Sequence, residues 1–177
     1  SSLCSLLNGY ECLISSRAGR TSSKEQYGLI YNKNIKINYF KDYNPDSQNR
    51  WERPPIEVNL DLQVFNLTIF NIHVKPDDVK QELNYLENVA LNKEYTMVIG
   101  DLNMACLYYS PIKEEEFDSW VQLIKDKDDT TVSPTTDCAY DRIIISNELK
   151  EKVIRHGIEK EIKKEQSDHY LIWVEIK

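Results

Sequence analysis

This 177-residue sequence has no long apolar run, no excess of basic residues and no low-complexity tract. Its apolar segments fall well short of the roughly 20 residues of a membrane-spanning helix, so we expect no membrane span. With 22 Lys and Arg against 29 Asp and Glu, the net charge is −7, which argues against binding nucleic acid by bulk positive charge. The hydrophobic fraction of 41% predicts a folded chain, and its length suits one domain, residues 1–177.

Cysteine is also sparse. Four cysteines are too few for a scaffold built from disulfides. Cys106 and Cys138 lie beside polar loops that we expect to be functional, so they are candidates for a bridge, with two buried thiols as the alternative. Cys4 and Cys12 give no such cue, and we expect them to be free. The Cys and His residues do not have the spacing of a zinc site.

Hydrophobic periodicity predicts an α+β class, in which strands and helices are mixed. The clearest helix covers residues 77–92, where one apolar stripe follows a proline-led start. A second helix is expected over residues 113–124, with the acidic run 114–116 in its first turn. Short helical segments are expected at residues 1–7 and 147–152. The predicted strands are Tyr10–Ser15, Tyr27–Tyr31, Ile35–Phe40, Ile56–Leu62 (half-exposed), Leu67–Val74, Tyr95–Gly100, Ala139–Ser146 and Tyr170–Ile176.

Polar side chains follow the ends of predicted strands at three places. In V-I-G-D-L-N-M-A-C, a buried strand ends at a glycine and presents Asp101 and Asn103. His73 ends another apolar strand, and the segment Ser167–His169 precedes the last one. Because α/β sheets tend to place their chemistry at such strand ends, we expect these side chains to share a cleft.

Two of the three histidines have candidate carboxylate partners. Glu25 is a candidate to orient His73, and Asp141 is a candidate to orient His169, although the sequence does not fix either pairing. An imidazole oriented by a carboxylate acts as a general acid or base. The third histidine, His156, has no acidic neighbour in a motif, and we expect it at the surface.

Hard oxygen ligands accompany the histidines. Asp101, Asn103 and Asp168 suit Mg²⁺ or Mn²⁺ rather than zinc. A divalent ion that neutralises a phosphate, beside two histidines that move protons, predicts phosphodiester hydrolysis.

These residues lie in motifs that resemble the endonuclease/exonuclease/phosphatase superfamily, and within it the deoxyribonuclease I branch. The resemblance covers nearly the whole chain. G-D-x-N together with S-D-H is specific to the superfamily, and C-A-Y-D-R-I with its paired cysteine to the branch. The matching motifs are S-S-K-E-Q-Y around Glu25, N-I-H-V-K-P around His73, G-D-L-N-M-A-C around Asp101, D-C-A-Y-D-R-I around Asp141, and S-D-H-Y at 167–170.

The resemblance implies a fold and a site. The fold is a four-layer αββα sandwich of two mixed β-sheets with flanking helices. The substrate is DNA, the setting is extracellular or secreted, and Cys106–Cys138 is a structural disulfide. The implied residues are Glu25, His73, Asp101, Asn103, Asp141 and His169 for catalysis, Asp168 for Mg²⁺ or Mn²⁺, and Arg20, Arg53 and Tyr140 for contact with DNA. The loop at Asp129 resembles a calcium site, but Pro134 and a changed loop length depart from it.

Two further departures carry expectations. Ser23 stands where the branch has a tyrosine that packs into the minor groove, so we expect weaker duplex binding. The chain also begins after the strand–helix–strand that opens the family's domain and carries its metal-binding Glu. We therefore expect an N-terminally incomplete domain, whose sheet is completed by a missing N-terminal segment or by a second chain.

Three functions are compatible with this pattern. The first is a divalent-metal-dependent endonuclease that hydrolyses DNA. The second is a catalytically inactive relative that acts as a binding module. The third is another phosphoesterase of the superfamily, such as a sphingomyelinase or a cytolethal distending toxin-type nuclease. We favour the first because both histidines and their candidate partners are present.

Overall fold

The computed structural model of the protein describes residues 2–22, 24–110 and 115–177. Two α-helices, ten strands and two short 3₁₀ helices follow one another along these residues. The helices are α1 (Ser2–Ser5) and α2 (Val79–Ala90), and the 3₁₀ helices are Pro76–Asp78 and Asn147–Lys152. The strands are β1 (Tyr10–Ile14), β2 (Gly28–Asn32), β3 (Lys36–Asp42), β4 (Ile56–Asp61), β5 (Asn66–Asn71), β6 (Thr96–Asp101), β7 (Val121–Gln122), β8 (Asp141–Ile145), β9 (Val153–Glu159) and β10 (Leu171–Ile176).

Six strands form a central mixed sheet in the order β3-β4-β5-β6-β8-β7. Its only parallel pair among the described strands is β5–β6, because α2 provides the crossover between them. The other neighbours are antiparallel. Since β5 and β6 run side by side in the same direction, their carboxyl ends meet at one edge of the sheet.

Helix α2 covers one face of this sheet. Its apolar stripe repeats at helical spacing, as the sequence predicts, and Val79, Leu83, Leu86 and Ala90 are all buried. They pack on the sheet in a cluster that includes Phe70 of β5. This packing fixes the crossover and holds the ends of β5 and β6 in place.

Two antiparallel hairpins, β1–β2 and β9–β10, cover the other face. Val58 and Ile143 of the sheet belong to a second core cluster, against which Leu29 of β2 and Ile158 and Ile172 of the second hairpin pack. The predicted α+β sandwich is therefore confirmed. Among the described residues the second β-layer consists of these two separate hairpins rather than one continuous sheet. No helix in the described part of the chain has the length and apolarity to cross a bilayer.

The expected helix over residues 113–124 is wrong in its described part. Residues 115–120 form turns, and Val121–Gln122 is the edge strand β7, paired with Ile144–Ile145 of β8. Phe117 has a φ of 61°, which a helix does not accommodate. Glu116 is buried and accepts a hydrogen bond from the Tyr109 hydroxyl at 3.1 Å, so it is not an exposed first-turn charge. Residues 113 and 114 lie outside the described residues.

Strand β4 is more buried than its alternating sequence predicts. Its polar residue Glu57 is buried because it binds the Tyr43 hydroxyl at 2.7 Å and the Lys93 ammonium at 2.9 Å. Strand β9 was not predicted, because Ile154, Arg155 and His156 are consecutive exposed residues without alternation. The surface position expected for His156 is confirmed.

Both pairs of cysteines are bonded. Cys106–Cys138 forms the disulfide that the resemblance implies, with a Cα–Cα distance of 6.0 Å. The expectation that Cys4 and Cys12 are free is wrong, because α1 folds back beside β1 and brings their Cα atoms to 6.1 Å. A short-range contact of this kind depends on the turn between the two elements, which the spacing alone does not specify.

Candidate active site

The carboxyl ends of β5 and β6 come together at a glycine. The Val74 N–H donates to the Asp101 carbonyl at 2.9 Å, so the chain that carries His73 runs directly beside Asp101. Gly100 has a φ of 133°, and a Cβ at this position would lie 2.1 Å from the Ile72 carbonyl oxygen. Only glycine permits this approach.

Strand β8 adds a second carboxylate at the same edge. Asp141 is the direct partner of Asp101 in the antiparallel β6–β8 register, so both side chains emerge on one face. The Thr130 hydroxyl accepts the Asp141 N–H at 3.1 Å and donates to the Cys138 carbonyl at 3.1 Å. This buried hydroxyl fixes the start of β8, and no sequence pattern points to it.

The predicted pair Glu25–His73 is formed. The Glu25 carboxylate lies 2.7 Å from Nδ1 of His73, which directs the other ring nitrogen, Nε2, to within 3.3 Å of the Asp101 carboxylate. The half-exposed imidazole therefore has one nitrogen oriented by the protein and the other at the cleft.

The predicted pair Asp141–His169 is also formed, at 2.6 Å between Oδ2 and Nδ1. The hydrogen bond from Asp141 raises the pKa of His169 to about 9, and the charges of Asp141, Asp101 and Asp168 act in the same direction. Burial opposes the shift. His169 is therefore an imidazolium at neutral pH, with the Tyr140 ring centroid 6.3 Å from its own.

Asp101 lies between the two pairs. Burial raises the pKa of its carboxyl, and the charge of Asp141 adds to this effect, whereas His73 and His169 lower it. The carboxylate oxygen Oδ1 accepts the N–H of Asn103 at 3.1 Å. Asp101 thus contacts His73 directly and lies beside Asp141 in the β6–β8 register.

Asn103 is nearly buried, at 4% exposure. Its Nδ2 donates to the Val74 carbonyl at 2.8 Å, and its backbone lies in the left-handed region with a φ of 51°. The side chain therefore ties the segment after β6 to the segment that carries His73.

Arg53 supports the first pair from behind. Its guanidinium donates to Glu25 at 2.8 Å through Nη1 and to the His73 carbonyl at 3.1 Å through Nε. The Tyr27 hydroxyl accepts the His73 N–H at 3.0 Å and donates to the Arg53 carbonyl at 3.1 Å. Burial raises the pKa of the Tyr27 hydroxyl, which keeps it neutral and able to donate. Sequence reasoning missed Tyr27 because it lies at the start of an ordinary apolar strand.

The predicted DNA contact Arg20 pairs with Glu52 at 3.2 Å, and its guanidinium is partly exposed.

The loop before Arg53 is anchored to α2 by Glu82, a buried carboxylate that accepts the N–H groups of Glu52 at 2.6 Å and Lys75 at 3.1 Å. Burial raises the pKa of Glu82. A signal for Glu82 exists in the sequence, because an acid at this spacing interrupts the apolar stripe of α2. The prediction for Ser23 lies outside the described residues.

The oxygen atoms of Asp101, Asn103 and Asp168 are of the type that binds a divalent ion, but they are too few to complete its coordination. Asp168 is exposed, and no hydrogen bond or ion pair joins its carboxylate to another described residue. No group of three or more His, Cys, Asp or Glu residues with metal-binding geometry occurs among the described residues. Asp129, in the loop that resembles a calcium site, is already bound by the Thr131 N–H at 2.9 Å and hydroxyl at 2.8 Å. These residues do not by themselves complete a metal site.

Comparison with known proteins finds deoxyribonucleases as relatives of this chain. No model of a known protein family matches the chain. Deoxyribonuclease-1 of Sus scrofa is 29% identical over 201 residues, covering 96% of this chain and 70% of that protein. Deoxyribonuclease gamma of Homo sapiens is 30% identical over 154 residues, covering 77% of this chain and 50% of that protein. The chain spans half the length of this second relative.

Solved structures share the fold. An endonuclease/exonuclease/phosphatase family protein from Leptotrichia buccalis superposes with a TM-score of 0.72 at 17% identity, covering 99% of this chain and 75% of that one. A 3′ phosphatase from Neisseria, bound to a product DNA hairpin, gives a TM-score of 0.72 at 11% identity, covering 99% and 82%.

The sandwich therefore has the fold of solved endonuclease/exonuclease/phosphatase family structures, and it carries two carboxylate–histidine pairs at one sheet edge. The homologues of the chain are deoxyribonucleases, at about 29% identity over most of its length, and the chain is therefore similar to deoxyribonuclease I.

Proposed function

We propose that this protein is an endonuclease that hydrolyses phosphodiester bonds in DNA. The observation that supports the proposal is the convergence of Glu25–His73 and Asp141–His169 on Asp101, with ring–carboxylate distances of 2.7 and 2.6 Å. Hydrolysis of a phosphodiester needs one group that takes a proton from water and another that supplies a proton to the leaving oxygen. Two oriented imidazoles meet that need.

The environments of the histidines suggest their roles. His169 is protonated at neutral pH because its pKa is about 9, so it is suited to stabilise phosphate charge and to protonate the leaving oxygen. His73, held by Glu25 at Nδ1, has Nε2 directed toward the cleft and Asp101, so it is suited to accept the proton of the attacking water. Asp101 would orient that water, Asn103 would hold the adjoining turn, and Tyr140 would line the substrate groove.

A divalent ion remains part of the proposal. Mg²⁺ or Mn²⁺, with Asp168 as one oxygen ligand, would neutralise phosphate charge. Since the described residues contain no group of three or more His, Cys, Asp or Glu residues placed to hold a metal, phosphate oxygens of the substrate would supply further ligands. Calcium at the Asp129 loop is retained as a prediction only.

The remaining proposals concern the whole chain. We propose that residues 1–177 act as one domain, because both core clusters share the central sheet. An extracellular setting is supported by the two disulfides, since such bonds persist in oxidising compartments. No finding supports completion of the sheet by a second chain.

Nicking of supercoiled plasmid in the presence of Mg²⁺ or Mn²⁺ tests the function. We expect the wild type to nick, and His73→Ala and His169→Ala each to lose activity by about 10²–10⁴-fold, the usual contribution of a general acid or base. His156→Ala, at the exposed third histidine, is the matched control and should retain activity. Equal nicking by all four proteins, or none by the wild type, contradicts the proposal.

Two further arms identify the alternatives. Hydrolysis of sphingomyelin or phosphoinositides without DNA cleavage indicates another phosphoesterase. Stable DNA binding without turnover indicates a binding module. Addition of EDTA should stop nicking, and Mg²⁺ or Mn²⁺ should restore it; nicking that persists in EDTA contradicts the metal requirement.

A further inference from the structure

The turn between β4 and β5 carries a modification sequence that the nuclease site does not use. Asn66-Leu67-Thr68 is the only Asn-x-Ser/Thr triplet in the chain whose middle residue is not proline. This triplet is the acceptor for asparagine-linked glycans in secreted proteins. It lies at the amino end of β5, opposite the edge at which His73 and Asp101 meet.

The acceptor side chain is accessible. Asn66 is exposed and follows a hairpin turn in which Val64 is 75% exposed. Its Oδ1 accepts a hydrogen bond from Asn38 at 3.1 Å, and among the described residues Nδ2 donates to no acceptor. The amide nitrogen that would carry a sugar is therefore not engaged in a hydrogen bond to another described residue.

Asn66 forms part of the wall of a cleft of about 520 Å³. Two aromatic rings, those of Phe65 and Tyr95, lie with centroids 4.8 Å apart, and Tyr39 adds a third that is 41% exposed. Such rings offer apolar surface for the C–H face of a sugar. Asn59, whose Nδ2 donates to the Thr68 hydroxyl at 3.0 Å, adds an amide to the floor.

The chain also has the chemistry of the compartment in which this modification occurs. Its described cysteines are all paired in two disulfides, as in proteins that pass through an oxidising secretory pathway. The sequence triplet, the exposed nitrogen, the adjoining cleft and the disulfides are separate observations.

We propose that Asn66 carries an N-linked glycan whose first sugar packs in the cleft formed by Tyr39, Asn59, Phe65 and Tyr95. The donor is a lipid-pyrophosphate-linked oligosaccharide. Nδ2 of Asn66 forms a bond to C1 of the first sugar, the C1–O bond to pyrophosphate breaks, the amide loses one proton, and the lipid pyrophosphate leaves. The proposal rests on the secretory location but not on the nuclease activity.

The test uses the full chain secreted from eukaryotic cells. Treatment with peptide:N-glycosidase should increase gel mobility and convert Asn66 to Asp in the tryptic peptide, as read by mass spectrometry. Asn66→Gln should abolish the shift, and Thr68→Ser should keep it because Ser also completes the triplet. Asn38→Gln, which changes the neighbouring amide without touching the triplet, is the matched control and should keep it.

Secretion of a disulfide-bonded wild type without a glycan overturns the proposal, as does a shift that persists in Asn66→Gln. The packing in the cleft is tested by an endoglycosidase that leaves only the first sugar. We expect the melting temperature to be kept after this trimming and to fall after complete removal. Equal melting temperatures in all three forms overturn the packing. Plasmid nicking, measured separately, reports on the nuclease site alone.

Discussion

The Asp141 carboxylate lies 2.6 Å from Nδ1 of His169, and this contact makes the stability of the folded state depend on pH. The pKa of His169 is raised from 6.5 to about 9, so the folded state holds this proton more tightly than the unfolded chain does. The resulting stability is fully present below about pH 6.5 and is lost as the pH rises through about 9. At the scale of a residue, one hydrogen bond thus sets both the charge of the site and a pH window.

The first prediction follows from this window. The difference in melting temperature between wild type and His169→Gln should be largest near pH 6 and should shrink toward pH 10, because the wild type then loses its imidazolium. Calorimetry at several pH values measures it. His156→Gln, at an exposed histidine, should show no such trend, and a difference for His169→Gln that is constant with pH contradicts the linkage.

Arg53 gives the second prediction. The family resemblance implies that Arg53 contacts DNA phosphates, whereas its side chain binds Glu25 at 2.8 Å and the carbonyl of His73 at 3.1 Å. Because a lysine cannot reproduce this fork, Arg53→Lys should misplace the first pair and lower kcat by on the order of 10²-fold with little change in KM. Plasmid nicking over a range of DNA concentrations separates the two constants.

Arg155→Lys is the control for Arg53→Lys, because Arg155 is exposed, pairs with Glu175 and lies over the Trp173 ring of the same hairpin. It should change neither constant. A raised KM with unchanged kcat for Arg53→Lys would instead support direct contact with DNA phosphates.

Elements and the contacts between them decide where the site forms. The close approach of the segment after β5 to β6 depends on Gly100, whose φ is 133° and whose hydrogen faces the Ile72 carbonyl. The third prediction is that Gly100→Ala costs about 3 kcal/mol or more of unfolding free energy, from backbone strain and the 2.1 Å contact together. Gly28→Ala, in β2, meets no atom within 4 Å and should stay within about 0.5 kcal/mol. Urea unfolding of both variants measures this, and equal midpoints contradict it.

The spacing of apolar residues along the sequence correctly predicted those helices and strands that do not depend on pairing with a distant segment. The stripe of α2 and the apolar runs of β5 and β6 are recognisable because most of their apolar residues belong to the core clusters. Residues 115–124 failed this test: Phe117, Trp120, Val121 and Ile124 have helical spacing, yet the backbone turns at Phe117 and pairs with β8. Pairing with a strand distant in sequence outweighs a weak local preference.

The two disulfides act on the molecule as a whole, because they restrict the unfolded chain. Cys106–Cys138 closes a separation of 32 residues and Cys4–Cys12 one of 8. The fourth prediction is that replacing the first pair by alanine costs about 3–4 kcal/mol and replacing the second about 2.5 kcal/mol, according to loop-closure entropy. Denaturant unfolding of each double variant measures the costs. If loss of the shorter loop costs more, loop length does not set the order.

The net charge of −7 is also a property of the whole molecule. Because the overall charge is negative, binding of DNA would depend on individual positive groups near the two carboxylate–histidine pairs. Among these, His169 carries a positive charge at neutral pH and Arg20 is partly exposed. The glycan proposed at Asn66 lies at the opposite end of β5 and would not cover this edge.

Apart from the Cys106–Cys138 pair, which the family resemblance implies, the sequence by itself determined the chemical inventory: two histidines, candidate carboxylate partners for them and the G-D-x-N strand end. These were recognisable because each lies in a short motif whose residue types are needed for one kind of chemistry. Only the tertiary structure decided the rest, namely the position of Asp101 between the pairs, the use of Arg53 and Tyr27 behind His73, and the Cys4–Cys12 bond. These contacts join residues on different elements, and their distances depend on how the elements pack, which no local pattern specifies.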